Sequence, residues 1–126
     1  DLESVRRIYD INYYKKSKAN LMSHPLAFAH FDASVNHGIG WSSKFLQRTL
    51  NKFGANLIDD GIIGPKTLTA LDDIMSNVYI YKIIDEYCNI RKSFYDSIVT
   101  NNPLQKKFYN GWMNRLASVR KYCGVA

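Results

Sequence analysis

The 126 residues suffice for one domain with a single core, and a content of 46% apolar and 13% aromatic residues excludes a disordered tail. No stretch approaches the roughly 20 apolar residues of a membrane span, so membrane insertion is not expected; the first residues are a charged helix, so any export signal lies outside this sequence unless export takes another route. The 17 Lys and Arg against 11 Asp and Glu give a net charge of +6, which favours an anionic partner without choosing among nucleic acid, anionic lipid and wall polymers bearing carboxylates and phosphates.

Leu2, Val5, Ile8, Tyr9 and Tyr13 recur at helical spacing, which predicts a first helix over roughly residues 1–16. It starts abruptly, with no Met, capping loop or linker before Asp1, as the continuation of a longer chain would. Lys15, Lys16 and Lys18 form one local basic group and Lys106 with Lys107 another, both read as solvated helix faces. Pro25 opens a second helix, in which Leu26 to Val35 is apolar almost all round except for Asp32, the pattern of a central helix.

A third helix, roughly Trp41 to Phe53, places Trp41, Phe45, Leu46, Leu50 and Phe53 on one face. The stretch Asp60-Gly61-Ile62-Ile63-Gly64-Pro65-Lys66-Thr67 reads as a tight turn into a fourth helix. Gly61 and Gly64 can take the positive φ that a compact turn demands, Pro65 suits the first helical position, and Leu68, Leu71 and Ile74 recur at helical spacing up to about Met75. A longer helix carries Ile80, Ile83, Ile84, Tyr87, Ile90, Phe94 and Ile98. Asn101-Asn102-Pro103 breaks it and starts the last helix, which presents Leu104, Phe108, Trp112, Leu116 and Val119. No strand pattern competes, so the chain reads as all-α with about six helices joined by short turns.

Asp32 and Asn36, four residues apart, share one face of an apolar helix. A lone carboxylate there needs partners or a wet cleft. Either Asp32 is hydrogen-bonded in the core while Asn36 and Gly38 end the helix, or the pair lines a polar site. Only two glutamates occur: Glu3, in a first helical turn where its charge suits the helix dipole, and Glu86, beside Asp85 on an amphipathic helix. Both read as surface residues. Cys88 and Cys123 lack Cys-x-x-Cys spacing. They are small buried residues or, in an oxidising compartment, one disulfide between the last two helices. His24, His30 and His37 have no partners at metal-ligand spacing, so neither a metal nor another cofactor is expected. Ser42 and Ser43 have no nearby base, and no glycine-rich phosphate loop follows a strand.

The run Leu46-Gln47-x-x-Leu50-Asn51, a short loop, then Asp60-Gly61-x-x-Gly64-Pro65-x-Thr67-x-x-Ala70-Leu71 resembles the core of bacterial peptidoglycan-binding modules. With Tyr9-x-x-x-Tyr13-Tyr14 and Phe31-Asp32-Ala33-Ser34-Val35-Asn36-His37-Gly38 before it and Gly111-Trp112-Met113-Asn114-Arg115 after it, the order is similar to that of the family 108 glycoside hydrolases, lysozyme-like N-acetylmuramidases ending in a predicted peptidoglycan-binding region. The resemblance covers nearly all of the chain. It implies residues 1–40 as the end of the catalytic region and 41–126 as the peptidoglycan-binding part, packed as one unit.

Members of that family carry a catalytic Glu followed by Gly-Gly-Tyr on an N-terminal helix, then a Gly/Thr/Asn-rich hairpin. Neither segment is in this sequence, and protonating a leaving sugar oxygen needs such an acid. The resemblance therefore implies a muramidase parent whose general acid lies upstream, and no cleavage by these 126 residues alone. It also implies Asp32, Asn36, Gly38 and Tyr14 as substrate-facing residues, although Tyr14 stands where the family often has Trp; Trp112 is expected in the core. Asp32 would orient water or stabilise positive charge at the sugar carbon, and Asn36 would hydrogen-bond an N-acetyl or hydroxyl group. The expected partner is bacterial peptidoglycan, met by a monomer outside the cytoplasm or by a phage-encoded protein. Two rival readings are a non-catalytic peptidoglycan-binding module and a basic helical nucleic-acid-binding domain. Against the latter, the basic residues do not gather on one recognition helix.

Overall fold

The computed structural model describes residues 11–126, which are all-α. Residues 11–16 are helical and a short 3-10 turn covers Ala19–Leu21. Five longer helices follow: α1 (Leu26–His37), α2 (Ile39–Lys52), α3 (Pro65–Met75), α4 (Ile80–Asn101) and α5 (Tyr109–Cys123). Leu2, Glu3, Val5, Ile8 and Tyr9 lie outside the described residues.

Helix α1 is central, packing on α2, α4 and α5. Its small residues Ala29 and Ala33 let neighbouring helices approach, and Leu26 is fully buried with Phe45, Leu46 and Leu50 of α2 and Ile83 and Ile84 of α4. Each such aliphatic side chain contributes roughly 2 kcal/mol by leaving water. The buried polar residues of α1 are all satisfied. His30 bonds the Tyr87 hydroxyl and the Ser17 carbonyl, both at 2.9 Å, and the Ser34 and Ser42 hydroxyls meet at 2.7 Å to tie α1 to α2. Gly38, at φ +89°, ends α1 and begins α2, so the chain reverses with no loop.

Two sequence expectations are corrected. Gly64 is extended at φ −113°, not left-handed, because the ring of Pro65 pushes the preceding residue into that region; only Gly61 of the pair, at φ +78°, needs glycine. The stretch Pro103–Phe108 winds as a 3-10 helix before α5 begins. Three residues per turn put it out of phase with α5, so Leu104 is 80% exposed and Phe108 is exposed too, instead of joining the inner stripe of Leu116 and Val119. Trp112 is half-buried and stacks on Tyr95, ring centres 5.0 Å apart. Cys88 and Cys123 are buried free thiols.

Candidate functional site

Asp32 holds the centre of the most polar cluster in the core. Its side chain is 3% exposed, and Arg91 of α4, equally enclosed, donates from Nη1 to Oδ2 at 2.7 Å. Arg115 of α5 donates from Nη2 to Oδ1. One carboxylate thus faces two guanidiniums from two helices, so the enclosed Arg91 has the counter-charge that a buried cation needs. Asn36, one turn along α1, donates from Nδ2 to the Asp32 carbonyl at 2.8 Å and to Oδ2 at 3.4 Å.

Arg91 makes two further bonds. Its Nε donates to His37 Nε2 at 3.0 Å and its Nη2 to the Tyr95 hydroxyl at 3.1 Å. Accepting at Nε2 fixes His37 as the neutral Nδ1–H tautomer, since that nitrogen has no proton to give. Burial, then the charge of Arg91, lowers the His37 pKa to about 4. From this cluster Arg115, half-exposed at 52%, and Asn36 reach solvent. The arrangement can present an anchored cation and an amide to an acidic or acetamido-bearing ligand.

Of the residues singled out from sequence, Asp32 and Asn36 come together, with Gly38 at the end of the same helix. Tyr14 is half-buried and packs its ring edge-on to Phe31 at 5.1 Å. Glu86 is half-buried on α4, whereas its neighbour Asp85 pairs with Arg120 at 2.7 Å. Arg91 and Arg115 were missed as partners of Asp32. The signal was present for one of them: Arg91 falls between Tyr87 and Tyr95 on the inner face of α4, where a cation requires a carboxylate.

The turn motif forms a second assembly. The Gln47 side chain, almost fully buried, donates from Nε2 to Asp60 Oδ1 (3.0 Å), the Ile62 carbonyl (2.9 Å) and Thr67 Oγ1 (3.2 Å), while its Oε1 accepts the Gly61 N–H at 3.0 Å. Asp60 also accepts the Ile62 N–H at 2.9 Å; that bond and the one from Gln47 hold its carboxyl below the usual range. Asn51 clamps the loop upstream with a reciprocal pair of bonds to Leu57, 2.8 and 2.9 Å. Gly61 lies so close to α2 that a Cβ there would stand 2.8 Å from the Gly40 carbonyl oxygen. Pro65 begins α3 at its first position, where a missing N–H costs nothing. Asp60, Gly61, Gly64, Pro65 and Thr67 therefore shape and anchor this loop.

Among the described residues no helix is long and apolar enough to cross a membrane. Comparison with curated proteins gives no match. Among solved structures the chain is similar to that of Brucella abortus SagA, with 25% identity and a TM-score of 0.75 over 98% of this chain and 63% of that one. It therefore spans less than two thirds of that protein's chain. The all-α, lysozyme-like architecture agrees with that likeness. Residues 1–38 match the glycosyl hydrolase 108 family model, and residues 41–117 match the model described as a predicted peptidoglycan domain. Through that second match, which takes in more than half of its residues, the chain belongs to the predicted peptidoglycan domain family, preceded by a glycosyl hydrolase 108 segment.

Proposed function

We propose that this chain supplies a helical lobe and part of the glycan cleft of a lysozyme-like N-acetylmuramidase whose general acid lies outside these 126 residues. Residues 1–40 form the end of the catalytic region and 41–126 the peptidoglycan-binding part. The peptidoglycan-associated role follows from the family; the muramidase reading adds the reaction. The observation that carries it is the tandem of the two family segments around one ionic cluster. Asp32, in the glycosyl hydrolase 108 segment, is held by Arg91 and Arg115 of the peptidoglycan segment. Asp32 acts on the cleft wall through what it positions, Asn36 and Arg115, with Gly38 and Tyr14 flanking them.

Glu86 is the one glutamate among the described residues, and a general acid needs an apolar pocket around its carboxyl. Glu86 lies half-buried on α4 beside Asp85, and the Asp32 carboxyl is engaged by two guanidiniums rather than open to a ligand. The protein meets peptidoglycan as a monomer, outside the cytoplasm or as a phage product.

The test follows the turbidity of purified sacculi with the 126-residue chain and with the same chain joined to its encoded upstream residues. Clearing only by the longer protein is the expected result. Lysis by the short chain, abolished by Glu86→Gln or Glu3→Gln, would place the acid within it and overturn this division of labour.

A further inference from the structure

Helices α2 and α4 enclose an open groove of about 580 Å³ that none of the motif residues lines except Asn51. Its floor is aromatic and aliphatic: Trp41 lies against Phe94, ring centres 4.6 Å apart, with Ile90 one turn before. Trp41 is 39% exposed, unusual for the largest apolar side chain when it stands beside a complete core. The rim is basic. Lys44 Nζ lies over the Trp41 ring, 4.6 Å from its centre, so a ligand taking that face displaces the ammonium to its own edge; the Arg48 guanidinium is 5.8 Å from the ring centre, and Lys52 lies one turn beyond Arg48. Arg48 is already paired with Asp59 at 2.7 Å, whereas Lys52 has no carboxylate partner among the described residues. Ser93 and Ser97 supply hydroxyls along the opposite wall.

We infer that this groove is a binding site for peptidoglycan itself, taking the face of one N-acetylated sugar on Trp41 and the free carboxylates of the attached peptide stem on Lys52 and Lys44. The inference rests on the peptidoglycan reading above and names the surface that carries it. An exposed ring with polar groups on both sides suits a sugar, which has an apolar C–H face and a hydroxylated edge. The cations beside it suit an acidic substituent on that sugar, which a neutral polysaccharide lacks. The groove also adjoins the Asp32 cluster. Phe94 meets His37 edge-on at 5.3 Å, and His37 accepts from the Arg91 that holds Asp32. Phe94 thus joins the groove to the end of α1 that bears Asn36 and Gly38.

The experiment is co-sedimentation of the full 126-residue chain with purified sacculi, untreated or with their carboxylates amidated, with melting curves of each variant as the measure of folding. Trp41→Ala is expected to weaken binding about tenfold, as removal of a central aromatic anchor does. Lys52→Glu, on the exposed rim and clear of the core, is expected to weaken it about threefold on untreated sacculi and not at all on amidated ones. Should Trp41→Ala melt early, Lys52→Glu and Lys44→Glu decide. Wild-type sedimentation by folded variants would overturn the groove and leave the peptidoglycan reading standing. Failure of the unmodified chain to sediment would remove both together.

Discussion

At the scale of single residues, Asp32 shows how a buried charge divides its consequences between fold and surface. Replacing it with Asn keeps the shape but strips Arg91, itself enclosed, of its counter-charge. A buried pair broken on one side typically costs about 3–5 kcal/mol, because the remaining ion has no solvent to turn to. Arg115 differs, since its half-exposed guanidinium regains water once freed, so Arg115→Ala is expected to cost about 1 kcal/mol or less. Urea unfolding of the two variants measures the contrast. Equal, small losses would show that Asp32 is not the hub. Asp32 was legible in the sequence as the one charge on an apolar helix, but its partners lie 59 and 83 residues away and no local spacing reports them. Counting only apolar residues along α4 hid Arg91, although its register with Tyr87 and Tyr95 put it on the buried face.

At the scale of elements, the loop between α2 and α3 is held from within α2. Gln47 and Asn51, one turn apart, each grip a different part of it through the side-chain amide. That gives a Gln and an Asn a purpose in a helix whose buried positions also include Phe45, Leu46 and Leu50. Gln47→Ala removes the two N–H donors shared among three acceptors and the oxygen that takes the Gly61 N–H, in effect three hydrogen bonds, so a loss on the order of 3 kcal/mol is expected, at about 1 kcal/mol per hydrogen bond. Amide exchange at Gly61 should quicken as well. An unchanged melting temperature together with unchanged exchange would mean that the loop holds its shape by packing alone. Helix boundaries were readable where a residue type enforces them, as at Pro65 and at the Asn101-Asn102-Pro103 break. They failed where the winding changes with no such marker, and the 3-10 stretch before α5 carries none, because Leu104 and Phe108 fit an α-helical stripe equally well.

At the scale of the whole molecule, the two family segments share hydrogen bonds as well as apolar core, and two histidines make that junction sensitive to acid. His30, in the first segment, gives its Nε2–H to the Ser17 carbonyl and accepts the Tyr87 hydroxyl proton at Nδ1, bridging to the second segment. Burial lowers its pKa from 6.5 to about 4, and His37 is lowered to about 4 as well. Between those values the unfolded chain binds protons that the folded chain refuses. Stability is therefore fully present above about pH 6.5 and is lost as the pH falls toward 4. For His30 the linkage is on the order of 3 kcal/mol across that window; His37, more open to solvent, contributes less. Melting curves between pH 7.5 and pH 4.5 should show a steady fall in Tm, and His30→Gln, which removes the titrating group while keeping a polar side chain, should flatten the slope at the cost of a lower plateau. A Tm that holds constant over that range would mean that the folded protein admits the proton at His30, and that the bridge between the two segments is not the element that acid opens first.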